Sequence, residues 1–182
     1  MSSRLKFEFD SDIDKAKFLT VIATELFSEM VCLDAFWNGI PNDKKFTHTD
    51  LDTPLIKETM EVGLFGYDLK ISFYRSSWFF RNVVGHVKNG KPFTIFINTR
   101  HKDFKKLKGE SLEDDIRDKI ETIAHEIVHL IDMRAMFGGF GHGDNSPVGK
   151  ENSFPYWFGR YAANFFKHEE FHTKLRMIRG SY

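Results

Sequence analysis

Cysteine is nearly absent: Cys32 is the only one in 182 residues. A lone thiol excludes an internal disulfide framework and a four-cysteine zinc ribbon. An excess of one charge sign is missing too, because 26 basic and 26 acidic residues cancel. Dedicated nucleic-acid binders carry a basic excess, so the balance speaks against that class, though a local basic face stays open. No apolar run approaches the ~20 residues of a membrane span. Met1 to Asp10 lacks the apolar stretch of a signal peptide. The expectation is a soluble, cytoplasmic protein with no membrane partner. Repeats, low-complexity tracts and long Pro/Gly/Ser linkers are also lacking, which predicts a single domain over 1–182, with a core of about 60–143 and a helical C-terminal part over 153–179.

Hydrophobic residues make up 41% of the chain and 20 phenylalanines are present, enough for a self-sufficient core in which aromatic rings dominate. Ile13, Phe18, Val21, Ile22, Leu26, Phe27, Met30 and Leu33 fall at helical spacing over 12–33, and Cys32 reads as a small buried hydrophobe there. Residues 38–54, with Asn38-Gly39, Pro41 and Pro54, read as irregular loop. Lys70 to Tyr74 alternates as a strand. Val83–Val87 and Pro92–Ile97 flank Asn89-Gly90, a strong hairpin signal because both turn residues tolerate positive φ. Asn98 to Lys108 is then a polar, basic connection.

Ser111-Leu112-Glu113-Asp114 resembles a capping box, and Glu113, Asp114 and Asp115 suit the positive end of a helix dipole. Ile116, Ile120, Ile123, Ile127 and Ile131 give that helix a buried stripe, and Gly138-Gly139 should end it. A last helix is predicted from Ser153-Phe154-Pro155 toward Ile178, with Phe154, Trp157, Phe158, Tyr161, Phe165 and Phe166 inward. The predicted fold class is α+β, with a small sheet and hairpin packed on the 111–138 helix.

That helix contains His125-Glu126-Ile127-Val128-His129, a His-Glu-x-x-His motif. His125 and His129 stand one turn apart on one face, so both imidazoles reach a single metal ion. Zinc suits them, being tetrahedral and well served by imidazole nitrogen. Glu126 projects beside the ion, where it can act as general base on a zinc-activated water. A third ligand is needed. His142 is favoured, because Gly138, Gly139 and Gly141 let the chain reverse. Glu151 is the rival carboxylate, and His168 with His172, one turn apart, are a further pair whose plain reading is solvent-facing.

The chain here resembles the SprT-like zinc metallopeptidases, which include the Spartan-type DNA–protein crosslink proteases. The resemblance rests on Ile95-Phe96-Ile97-Asn98 ending a hairpin strand, on His125-Glu126-x-x-His129, and on Phe137-Gly138 with His142-Gly143, over roughly residues 60–143. It implies a zincin-like domain with zinc on His125, His129 and His142, Glu126 as general base, and a protein or peptide substrate. A family-type cysteine ribbon lies beyond a chain whose one cysteine is Cys32.

The expected activity is therefore that of a hydrolase, a zinc metalloprotease. Tyr156, Tyr161 and Arg160 are the candidate oxyanion donors, and the strand over Phe93–Ile97 is expected to offer an edge for substrate backbone. Two alternatives stand beside this. Arg100, Lys102, Lys105, Lys106 and Lys108, with Lys167, Lys174, Arg176 and Arg179, could track a phosphate backbone, although a solvated face is the plainer account. A zincin-folded structural protein would close its zinc site with a fourth protein ligand. Trp37, Trp78 and Trp157 are expected in the core, and His48, His86 and His101 on the surface or hairpin.

Overall fold

The computed structural model of the protein describes residues 12–64, 70–76, 85–87, 94–101, 104, 111–136, 138–142, 149 and 151–179. Among them run helices α1 (Asp12–Val31), α2 (Asp34–Asn38) and α3 (Thr53–Leu64), strands β1 (Lys70–Tyr74), β2 (Gly85–Val87) and β3 (Thr94–Asn98), and helices α4 (Leu112–Asp132), α5 (Phe154–Asn164) and α6 (His168–Arg179). The mixture is α+β.

α4 is the central element, touched by α1, α3, α5, β2 and β3. Its isoleucine stripe is buried as expected, joined by Ala124, Val128 and Leu130. Ser111 caps it: the hydroxyl oxygen accepts the Asp114 N–H at 3.2 Å and donates to the Asp114 carboxylate at 2.7 Å. Asp is one methylene shorter than the usual Glu, and its carboxylate meets the Ser111 side chain.

The three strands form a mixed sheet in the order β1-β3-β2. β2 and β3 pair antiparallel, Gly85 with Ile97 and Val87 with Ile95, as the hairpin reading requires; its turn at 88–91 lies outside the described residues. β1 pairs parallel with the other flank of β3, from Lys70 with Thr94 to Tyr74 with Asn98. The expected edge over Phe93–Ile97 is thus corrected: β3 is the middle strand, with Ile95 and Ile97 buried, and among the described strands the outer positions belong to β1 and β2. Beyond β3, the Asn98 side-chain oxygen accepts the N–H groups of Ser76 at 3.2 Å and Arg100 at 3.0 Å, which fixes the turn.

Several boundaries differ from the sequence reading. α1 ends at Val31, where Cys32 and Leu33 donate to the carbonyls of Glu29 and Met30 in a tightened turn. Cys32 therefore faces solvent rather than the core, and Val21 lies on the outer side of α1 at 40% exposure. Helix α3 was hidden by Pro54, which reads as loop but is tolerated in a first turn that needs no N–H there. Asp52 accepts the Leu55 N–H at 2.9 Å at this start, and Ile56 and Met60 are buried.

α4 stops at Asp132, six residues before the predicted glycines, because its apolar stripe ends at Ile131 and Met133 caps it. The predicted last helix is two, broken at Phe165–Lys167. Arg117 of α4 serves the break: its guanidinium donates to the carbonyls of Ala163 and Phe166, which satisfies acceptors near a helix end. Phe36 is fully buried among Phe27, Trp37, Phe158 and Phe165, with edge-on ring centroids 5.1 to 6.4 Å away. Trp157 packs partly buried on this core, and Trp78 lies outside the described residues. His48 is exposed at a φ of 68°, whereas His101 is buried, contrary to the surface reading. Its N–H donates to the Asn98 carbonyl at 3.1 Å in the turn that follows β3. For His86 only the backbone, in β2, is described.

Candidate metal centre

The last two turns of α4 carry His125 and His129, and the chain that follows brings His142 back to them. Asp132 makes this return. Its Oδ1 accepts the N–H groups of Gly139 and, at 2.9 Å, of Phe140. Gly139 sits at a φ of +106°, which L side chains rarely adopt. Phe140 is fully buried, with its ring edge-on to Phe154 at 5.8 Å, so the loop is anchored in the core. A Cβ at Gly141 would lie 2.7 Å from Asp132 Oδ2 and 3.2 Å from His129 Nδ1, so only glycine passes here undisturbed.

His142 then completes a triangle. The Nε2 atoms of His125, His129 and His142 lie 3.2 Å apart along all three sides. Imidazole nitrogens about 2.0–2.1 Å from a tetrahedral zinc ion stand about 3.3 Å from one another, so the donor set fits that ion with almost no adjustment. The protonation state agrees. Burial, then the neighbouring His129 and His142, pushes the His125 imidazole down to about 3, so it is neutral near pH 7 with a lone pair available for a metal. Three imidazoles aimed at one point form a group that could hold a cation between them.

Glu126 retains some residue exposure, but its carboxyl is enclosed, and desolvation pushes it up to about 7. Tyr74, at the end of β1, is close enough to feel it: burial, then the charge of Glu126, raises its phenol. The ring of Tyr156 stacks on His142 at 5.1 Å and 16° and meets His125 at 4.5 Å.

The motif pair and His142 are thus brought together as the sequence reading favoured. Glu151 is not among them; it is exposed, and its carbonyl accepts from Arg160. Of the three oxyanion candidates, Tyr161 donates to the Phe36 carbonyl and Arg160 to Glu151, which leaves Tyr156 as the one packed on the histidines. His168 and His172 are not merely solvent-facing: they converge on Glu113 at 2.6 and 3.0 Å. Burial works against the Glu113 charge, yet Arg117 and then His168 hold its carboxyl below the usual range.

Among the basic residues, Lys167 and Arg176 are exposed. Arg100 donates to the Ser76 carbonyl and Lys174 pairs with Glu29 at 2.8 Å; Lys102, Lys105, Lys106 and Lys108 lie outside the described residues. No described helix is long and apolar enough to cross a membrane. Sequence reasoning missed Asp132 and Tyr74. Asp132 carried a signal, standing one turn after His129 ahead of the glycines, whereas nothing local links Tyr74 to Glu126. Set against models of protein families, curated proteins and solved structures, the chain matches none.

Proposed function

We propose that the protein is a zinc-dependent peptidase of the SprT-like, zincin type, with the metal held by His125, His129 and His142 and with Glu126 as general base. One observation carries the reading: three imidazole nitrogens at 3.2 Å spacing, with an enclosed carboxyl one residue along the same helix from His125. Zinc, when bound, supplies Lewis acidity that makes water more acidic and a peptide carbonyl more electrophilic.

The chain's own residues supply the rest. A carboxyl tuned to about 7 both accepts a proton from water and returns it to a leaving amine near neutral pH. Tyr156, packed on two of the histidines, is the candidate donor to developing oxyanion charge. With β3 in the middle of the sheet, extended substrate backbone is assigned to the edge of β1, whose last residue, Tyr74, lies near Glu126. Among the described residues no fourth His, Cys or carboxylate joins the trio, which favours an open site over a closed structural one.

The test couples metal content to hydrolysis of an unfolded protein substrate. Elemental mass spectrometry should find zinc on wild type and on Glu126→Gln, and a loss of zinc at the trio in His125→Ala and His142→Ala. Glu126→Gln should nevertheless lose hydrolysis by a factor of about 10² to 10⁴. Full activity in Glu126→Gln, or a trio that takes up no zinc on reconstitution, would refute the proposal.

A further inference from the structure

A second cluster lies near the other end of α4, where Glu113 precedes His125 by twelve residues, about 18 Å of helix axis. Glu113 Oε2 lies 2.6 Å from His168 Nδ1 and 3.0 Å from His172 Nε2. Its Oε1 accepts two N–H bonds from Arg117, at 2.9 and 2.7 Å. Arg117 is itself fixed by the carbonyls of Ala163 and Phe166 and lies over the Phe171 ring at 4.5 Å. The buried carboxylate is therefore aimed, with Oε2 turned to the histidines. His168 and His172 stand one turn apart, as His125 and His129 do, with ring centroids 4.5 Å apart. All three ligating atoms lie within 4.8 Å of one another.

We propose that Glu113, His168 and His172 form a second, structural site for a divalent transition-metal ion of the zinc class, which staples α6 to the first turn of α4. Two imidazole nitrogens and a carboxylate oxygen match the ligand preference of zinc. An ion requires ligand atoms about 3.3 Å apart, so the imidazoles must draw back from Oε2 by about 0.3 to 0.7 Å. That is a small movement for His168, whose side chain is 75% exposed, and water completes the coordination on its outer side. The charge of Arg117 and the positive N-terminal end of α6 oppose a cation, so this site binds more weakly than the histidine trio. Because Arg117 joins Glu113 to the carbonyls ending α5, an ion here braces α4, α5 and α6 together.

The experiment is zinc equilibrium dialysis and thermal unfolding of the full chain in a His142→Ala background, where the trio is disabled. His142→Ala should retain about one zinc, and His142→Ala/His172→Ala or His142→Ala/His168→Ala about none. A zinc excess of about a hundred-fold over Kd should raise Tm by about 5–10 °C in the single variant and leave both double variants unmoved. Equal zinc retention in single and double variants, or no zinc-dependent rise in the single variant, would overturn the proposal. Neither arm reads hydrolysis, so failure of the peptidase reading leaves this result interpretable. His168→Ala removes an exposed side chain, which guards against a variant that merely fails to fold.

Discussion

Replacing Glu126 by Gln in the metal-free protein should stabilise it at alkaline pH and change it little in acid. Burial lifts the carboxyl from 4.5 to about 7. Between those values the folded chain holds a proton that the unfolded chain has lost, so stability falls as pH rises through the window and the full penalty is reached above it. The span of about 2.5 units, at 1.36 kcal/mol each, gives about 3 kcal/mol, an upper value because Glu126 keeps some contact with solvent. His125 acts in the opposite sense: pushed down to about 3, it refuses a proton that the unfolded imidazole takes below 6.5, and stability falls as pH drops. That contribution is common to both proteins and cancels in their difference. Urea unfolding of chelator-treated protein, followed by tryptophan fluorescence at about pH 5 and about pH 8, measures the difference directly. The advantage of Glu126→Gln should grow by about 2–3 kcal/mol between the two, which is about 5–10 °C in Tm. An equal difference at both pH values would mean that the carboxyl is not desolvated, and would remove the physical basis for a base tuned to neutrality.

Two further substitutions probe the frame of the site. Gly141→Ala places a Cβ 2.7 Å from Asp132 Oδ2 and 3.2 Å from His129 Nδ1, and should weaken zinc binding by about 10- to 100-fold in competition with a chromophoric chelator; unchanged affinity would mean that the loop relaxes freely. Phe36→Ala empties the middle of the aromatic cluster and should lower unfolding free energy by about 3–5 kcal/mol in urea titration. A loss below about 1 kcal/mol would mean that the surrounding rings collapse into the space.

The site was more legible in the sequence than the fold around it. His125 and His129 are fixed by one helical turn, a relation that holds wherever the helix goes. His142 was accessible because glycines mark the place where a chain can reverse. Elements whose limits depend on distant partners were not legible. The residues from Phe154 onward keep an apolar pattern through Phe166, and nothing in that stretch announces Arg117, 46 residues upstream of Ala163, whose guanidinium meets the carbonyls where α5 ends. The β2–β3 hairpin could be read from Asn89-Gly90 and β1 from the alternation over Lys70–Tyr74, but the parallel pairing of β1 with β3 could not, and it is this pairing that turns β3 from an edge into the middle strand. Glu113 looked like a dipole-compensating residue of a first turn, and its histidines lie 55 and 59 positions away.

Asp132 shows how local chemistry turns a helix end into a convergence of three imidazoles that could hold a metal. Had α4 continued to the glycines, His142 would have stood farther along the axis, away from His125 and His129. The carboxylate stops this by accepting two N–H groups from the returning strand of chain, and Phe140 locks the return into the core beside Phe154. The third imidazole is thereby placed by backbone hydrogen bonds and one buried ring rather than by the ion itself. Ligands positioned in advance spare the ion most of the ordering entropy of binding. The contrast with Glu113, His168 and His172 is instructive on this point. There the histidines rest on the carboxylate itself and must part to admit an ion, whereas the trio stands at its working separation already. Two clusters built on the same one-turn histidine spacing are therefore expected to differ in affinity, because the loop that Asp132 holds sets the trio in advance while the charge of Arg117 opposes a cation at the second.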